Sequence, residues 1–163
     1  MVDWCRVSAT NAAEADRCPA NGARGTPVEL LTVKALLTDA ALAHFNNVAH
    51  RFCSGPACDV VYFDADGRTY GTRDLRVPVW QKEPFGERLI CYCFGISEGG
   101  IRDEIQATGR SGAVHRVRAH IAAGRCACDV RNPRGACCLG DIVAAVERVT
   151  ADLRARDPER RDV

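Results

Sequence analysis

Aromatic residues are scarce: five Phe, three Tyr and two Trp, 6% of 163 residues. One large aromatic core is therefore not expected, and this length suits one ordinary core or two small ones. Charge of a single sign is missing too. The 22 Lys and Arg stand against 21 Asp and Glu, a net +1, so neither nucleic acid nor a membrane surface is an expected electrostatic partner. No stretch approaches the roughly 20 apolar residues of a membrane span. Residues 1–17 carry no apolar segment with a small-residue cleavage pattern behind it. A cytoplasmic protein is the expectation. Catalytic grammar is absent as well: no Ser-His-Asp grouping, phosphate loop, dinucleotide-type glycine pattern or paired-carboxylate pocket stands out. Asp103 with Glu104 reads as an exposed helix face, and Asp64 with Asp66 as turn residues. These residues name no reaction, and enzyme status stays open.

Cysteine, by contrast, is abundant, with ten in the chain. Thiols stay reduced in a cytoplasm, so metal ligation is expected over a disulfide framework. Cys-x-Cys and Cys-Cys neighbours make poor disulfides with each other but can share one metal centre. Cys18, Cys53 and Cys58 are widely spaced and look like a zinc site. The Gly-Pro turn between Cys53 and Cys58 lets both face one ion, while Cys18 arrives from an earlier loop. Structural zinc takes four protein ligands, and the candidates for the fourth are Cys5, His44, His50, a carboxylate or water. His44 and His50 also fit surface or capping roles, as neutral imidazole readily satisfies local hydrogen bonds. His115 and His120 sit on an expected helix and read as ordinary helix residues. No acid–base pair converges here, so a structural zinc is preferred to a hydrolytic one.

The remaining cysteines are set more tightly: Cys91-Tyr-Cys93, then Cys126-Ala-Cys128, then Cys137-Cys138. Cys-x-Cys puts two sulfurs on one turn, close enough to hold one iron. A second pair, returned by a helical hairpin, holds the other, which suits a 2Fe-2S rhomb. Six thiols compete for four places. Spacing does not choose between Cys126 and Cys128 or between Cys137 and Cys138, and a four-cysteine zinc site meets the same ligand chemistry.

Around these sites the chain reads as an α+β protein of two units. Residues 1–17 are a flexible lead-in, 18–82 a zinc-stapled β-rich unit, 89–156 a helical cluster-binding unit and 157–163 a polar tail, with 82–88 as linker. In the first unit Val28–Val33 suits a strand, and Lys34–Phe45 a short helix. Val60–Phe63 and Arg68–Tyr70 form a hairpin about Asp64–Gly67, and Val77–Trp80 suits an edge strand because Pro78 cannot donate to a ladder. Its core is thin, and zinc is the expected remedy. In the second unit Ser97 caps a helix bearing Ile101 and Ile105 that stops at Gly109. Ser111 caps another bearing Val114, Val117 and Ile121 and ending at Gly124. A third starts near Leu139 and carries Ile142, Val143, Val146 and Val149.

Cys91-Tyr-Cys93-Phe-Gly95, followed by Asn132-Pro-Arg-Gly-Ala-Cys137-Cys138-Leu-Gly140, resembles the iron–sulfur part of the N-terminal domain of the CopZ copper chaperones. More distantly it is similar to bacterioferritin-associated ferredoxin. The likeness extends upstream through Cys18-Pro-Ala-Asn21-Gly22, Leu31-Thr-Val-Lys34 and Phe52-Cys53-Ser-Gly-Pro-Ala-Cys58, so it covers about residues 18–146. It implies zinc in the N-terminal part and a 2Fe-2S cluster held by Cys91, Cys93, Cys128 and Cys138, with Cys126 and Cys137 as spare thiols. Some family members have Cys-Pro-x-Cys where this chain has Cys18-Pro-Ala-Asn21. The resemblance also implies one-electron transfer linked to metal handling, with Cu(II) reduced to Cu(I) for a separate carrier, and so a redox or metal-carrier partner and copper ions. The chain lacks the Gly-Met-x-Cys-x-x-Cys loop that carries copper itself. A redox or metal-stress sensor that changes partner affinity is the alternative, and a purely structural scaffold the third class.

Overall fold

The computed structural model describes residues 15–157, which fall into two compact units that meet in sequence between Lys82 and Glu83. Each is taken by itself. The first is an antiparallel sheet, in spatial order β1 (Thr26–Val28), β2 (His50–Phe52), β3 (Val60–Asp64), β4 (Thr69–Gly71). Register is set by pairs such as Pro27 with Arg51, Arg51 with Phe63 and Tyr62 with Tyr70. Two short helices, α1 (Leu30–Leu36) and α2 (Asp39–Leu42), join β1 to β2. Val33 and Leu37 from this connection pack with Phe52, Val61, Tyr62, Tyr70, Leu75 and Val79 into the main core. A smaller cluster holds Cys18, Cys53, Cys58 and Phe63. Residues 61–64 of β3 are all buried, as expected of a strand covered on both faces.

The expected strand at Val28–Val33 is a helix for most of its length. Its β-branched content suggested extension, but buried Thr32, Val33 and Leu36 fall on one helical face, and periodicity outweighs composition. The expected helix over Lys34–Phe45 is broken at Leu37, which is fully buried and extended (φ −67°, ψ 143°) and bridges to Leu75. The Thr38 hydroxyl then accepts from Ala41 N–H and restarts the helix as α2. Val77–Trp80 is not a strand. Residues Trp80–Lys82 form a 3₁₀ turn closed by Lys82 N–H to Val79 C=O at 2.8 Å, and buried Val79 turns into the core.

The second unit opens on a short hairpin, β5 (Leu89–Cys91) with β6 (Ile96–Ser97). Four helices follow: α3 (Glu98–Thr108), α4 (Ala113–Ala122), the single turn α5 (Cys128–Arg131) and α6 (Leu139–Arg156). Ser97 Oγ accepts from Gly100 N–H at 3.1 Å at the start of α3, and Gly109 ends it in the left-handed region. α3 and α4 both pack on α6, burying Ile101, Ile105, Val117, Ile142, Ala145 and Val149 against Ile90 and Ile96 of the hairpin. Glu104 is more than a surface residue. Its carboxylate accepts from Ser111 Oγ and Gly112 N–H, at 2.8 and 2.9 Å, and so caps α4 from α3.

Glu98, only 1% exposed, fixes the entry to this unit. Its Oε1 accepts from Arg88 at 2.6 Å and pairs with Arg148, while Oε2 accepts from Gly86 N–H at 2.8 Å. Residues 86–88, read from the sequence as linker, are thus tied to the start of α3. Burial pushes the Glu98 carboxyl up, but the hydrogen bond from Arg88, that from Gly86 and the two positive charges outweigh it and hold it below the usual range. With a depressed folded value, its stabilising contribution is complete above the unfolded carboxylate range and is lost as pH falls through that folded value. Glu98→Ala removes the buried carboxylate that pairs with Arg88 and is expected to destabilise the unit by about 3 kcal/mol, read from the shift in its urea midpoint.

Candidate metal centres

The first centre is built from two loops. Cys18 opens a tight loop in which its carbonyl accepts from Gly22 N–H and its own N–H donates to Ala23 C=O, both at 2.8 Å. The second loop leaves β2 at Cys53, whose N–H donates to Val61 C=O at 2.9 Å, and returns at Cys58, whose N–H donates to Gly55 C=O at 3.2 Å. The Lys82 ammonium clamps this loop by donating to the carbonyls of Gly55 and Cys58, at 2.9 and 2.8 Å. All three sulfurs are buried and lie within 4.8 Å of one another, with Cys18 and Cys58 at 3.9 Å. Tetrahedral zinc with Zn–S near 2.3 Å places ligand sulfurs about 3.8 Å apart. The donor set is therefore soft, convergent and dry, and it fits zinc.

Electrostatics agree with a cation at this point. Burial pushes the Cys58 thiol up. At Cys53 burial also pushes up, yet the Gly55 backbone hydrogen bond, that from Cys18 and the charge of Lys82 bring the thiol below its ordinary value. Without an ion the sulfurs contend for protons. An ion replaces those protons and relieves the contest.

His44 and His50 do not join the group. His44 is exposed. His50 is buried, its Nδ1 is 2.7 Å from Val48 C=O, and its ring stacks on Phe45 at 5.0 Å. Side chains alternate along a strand, so His50 and Phe52 share the core face while Cys53, one residue on, turns away. Cys5 lies outside the described residues. The polar side chain that does reach this centre is Asn21, with Nδ2 3.5 Å and Oδ1 3.9 Å from Cys53 Sγ. From the sequence, Asn21 is a turn residue standing where some relatives have a cysteine, and not a ligand.

The second constellation sits at the ends of the helical hairpin. The hairpin turn carries Cys91 and Cys93, while the segment after α4 carries Cys126 and Cys128 and leads to Cys138 at the cap of α6. Asn132 shapes that return: its Nδ2 donates to Ala136 C=O at 2.7 Å and its Oδ1 accepts from Arg134 N–H at 3.1 Å. Gly135, at φ 66°, reverses the chain in a conformation costly for other residues. Cys93 Sγ lies 3.8 Å from Cys128 Sγ and accepts from Ala127 N–H at 3.3 Å. Cys91 and Cys138 are both buried in the core of the unit.

Cys91 and Cys138 are shifted in opposite directions. The hydrogen bond from Cys138 holds Cys91 down to about 6, and the same bond, with burial, pushes Cys138 up. Burial and the adjacent Cys93 push Cys128 up to about 12. The sequence reading joined Cys91 to Cys93 within their turn. These sulfur contacts instead run from one arm to the other, because Cys91 ends a strand in the core beside Cys138 while half-buried Cys93 reaches Cys128. Cys126 is half-buried and Cys137 exposed. All nine described cysteines are free thiols. Among the described residues no helix is long and apolar enough to cross a membrane.

Three thiolates at the edge of a small antiparallel sheet define a zinc-binding domain, and residues 15–76 match the CopZ-type family described as a zinc binding domain. Over those residues the chain is similar to the CopZ-type zinc-binding domains. It is 30% identical over 122 residues to the copper chaperone CopZ of Archaeoglobus fulgidus, a match covering 75% of this chain. The chain spans only 57% of that relative's length. It is also similar to the X-ray structure of the Archaeoglobus fulgidus CopZ N-terminal domain, with a TM-score of 0.65 and 29% identity over 78% of this chain and 95% of that one.

Lys82 makes no contact with an ion itself but holds two carbonyls of the ligand loop and supplies positive charge. Lys82→Met is expected to weaken zinc binding by about tenfold, measured by competition with a chromophoric chelator.

Proposed function

We propose that this protein binds zinc through Cys18, Cys53 and Cys58 and a 2Fe-2S cluster through Cys91, Cys93, Cys128 and Cys138, and that it passes single electrons in copper handling. The observation that carries this reading is the arrangement of the sulfurs, with Cys93 3.8 Å from Cys128 and Cys91 buried with Cys138 in one core cluster. A four-cysteine zinc site needs all four sulfurs about 3.8 Å apart. Among the described residues of this unit no three ligand atoms lie within 4.8 Å of one another. Two pairs set apart suit two metal ions with two thiolates each.

In this arrangement Cys91 and Cys138 hold one iron, and Cys93 and Cys128 the other. A bound 2Fe-2S cluster supplies one-electron redox chemistry at a potential set by charge and hydrogen bonds to sulfur. The chain contributes such a bond from Ala127 N–H to Cys93 Sγ. It also places Cys138 at the N-terminus of α6, where the helix dipole favours negative charge on sulfur. Burial of Cys91 and Cys138 keeps water from one side.

Copper enters as substrate. The relative named a copper chaperone supports it as the ion handled. Cu(II) takes up one electron and leaves as Cu(I), the form that soft thiolate carriers prefer. A redox partner must resupply that electron, and a separate carrier must take the Cu(I).

Oxygen-protected full chain is expected to contain about two iron and two sulfide per chain, with a visible spectrum that bleaches reversibly on one-electron reduction. Cys128→Ser and Cys138→Ser abolish the colour, whereas Cys126→Ser and Cys137→Ser keep it. Colourless protein without sulfide would end this reading, and cluster loss that alters partner affinity without reversible reduction would favour a sensor.

A further inference from the structure

Three sulfurs converge on the zinc position, yet among the described residues no histidine, carboxylate or fourth cysteine joins their group. The Asn21 side chain occupies the remaining side. For Zn–S near 2.3 Å and Zn–O near 2.1 Å, tetrahedral angles put a ligand oxygen about 3.6 Å from each sulfur. Asn21 Oδ1 lies 3.9 Å from Cys53 Sγ, close to that separation, while Nδ2 donates to the same sulfur at 3.5 Å. A carboxamide oxygen has two lone pairs, so it can accept a backbone hydrogen bond and still face an ion.

The loop opposite is shaped around this amide. A Cβ at Gly55 would collide with Asn21 Nδ2, so glycine at 55 is what admits the side chain. Its Oδ1 also accepts from Ala23 N–H at 3.0 Å, which fixes the amide over the site. Asn21 itself is exposed, unlike the three cysteines. The fourth corner therefore faces water, while the three thiolate corners face the core.

We propose that Asn21 stands at the fourth corner of the zinc tetrahedron as a weak neutral donor, and that this corner exchanges with an incoming thiolate. A carboxamide is a poor zinc ligand beside a thiolate, and the amide is reachable from solvent. In the exchange the Zn–O bond of the amide, or of a water in its place, breaks and a Zn–S bond forms. The thiol gives its proton to solvent, and no electron moves. Three thiolates on Zn²⁺ leave a net charge of −1, and the Lys82 ammonium, bound to the carbonyls of Gly55 and Cys58, offsets the further negative charge of a fourth. The incoming sulfur belongs to a small thiol or to a cysteine of a partner protein. This inference rests on zinc occupying Cys18, Cys53 and Cys58.

The test is zinc-edge X-ray absorption on the full-length protein, which counts sulfur around zinc without interference from iron. Zinc content measured first separates the two ideas, since protein without zinc would end the zinc assignment itself. With zinc bound, the wild type is expected to show three sulfurs near 2.3 Å and one oxygen or nitrogen near 2.1 Å. Excess dithiothreitol, and in a separate arm a cysteine-bearing peptide, should bring the count to four. A response to the first alone identifies small thiols, and one to both admits protein cysteines. Asn21→Cys should show four sulfurs at the outset and no response to added thiol, and Asn21→Ala three sulfurs that still respond. Four sulfurs in untreated wild type, falling to three in Cys5→Ser, would overturn the inference. So would three sulfurs indifferent to both thiols.

Discussion

Convergence of buried sulfurs is the constraint on which this molecule depends. Cys18, Cys53 and Cys58 place three ionisable groups within 4.8 Å of one another and all buried, a placement that a bound cation would stabilise. Thirty-five positions separate Cys18 from Cys53, so an ion joining them removes much of the freedom of the unfolded chain. Around that point the neighbouring loops are held by backbone: Cys18, Cys53 and Cys58 all donate their N–H groups to carbonyls within the unit. Lys82 then fastens the second loop from the far end of the unit.

The helical unit solves its sulfur problem differently. Its hydrophobic interior already includes Cys91 and Cys138 among isoleucines and valines, so these thiols are packed as small apolar groups as well as ligands. Order at the mouth of the unit is supplied by the Glu98 carboxylate, which gathers Arg88, Arg148 and the Gly86 amide. The same guanidinium of Arg88 lies 3.9 Å from the ring of Phe85, a cation–π contact that keeps an otherwise exposed ring in place.

Much of this was legible in the residues. Ser97 and Gly109 bracket α3 as caps do, and the isoleucines at 101 and 105 mark its buried face. The three zinc thiols could be grouped from turn chemistry alone. What escaped were relations across long separations. Asn21 meets Cys53 across 32 positions and Arg148 meets Glu98 across 50, and no local pattern announces either. Leu30–Leu36 misled for another reason, since β-branched content and helical spacing pointed in opposite directions there and burial of Val33 and Leu36 decided it. The pairing of Cys93 with Cys128 was likewise invisible, because adjacency in a turn says nothing about which way each sulfur points.

That pairing has a topological consequence. Because the contacts run from arm to arm, the whole α3–α4 excursion is a loop closed at its neck by sulfur. Each neck contact draws the same two chain segments together, so they act as parallel clasps on one door. The excursion between them is not slack, because α3 and α4 bury Ile101, Ile105 and Val117 against α6.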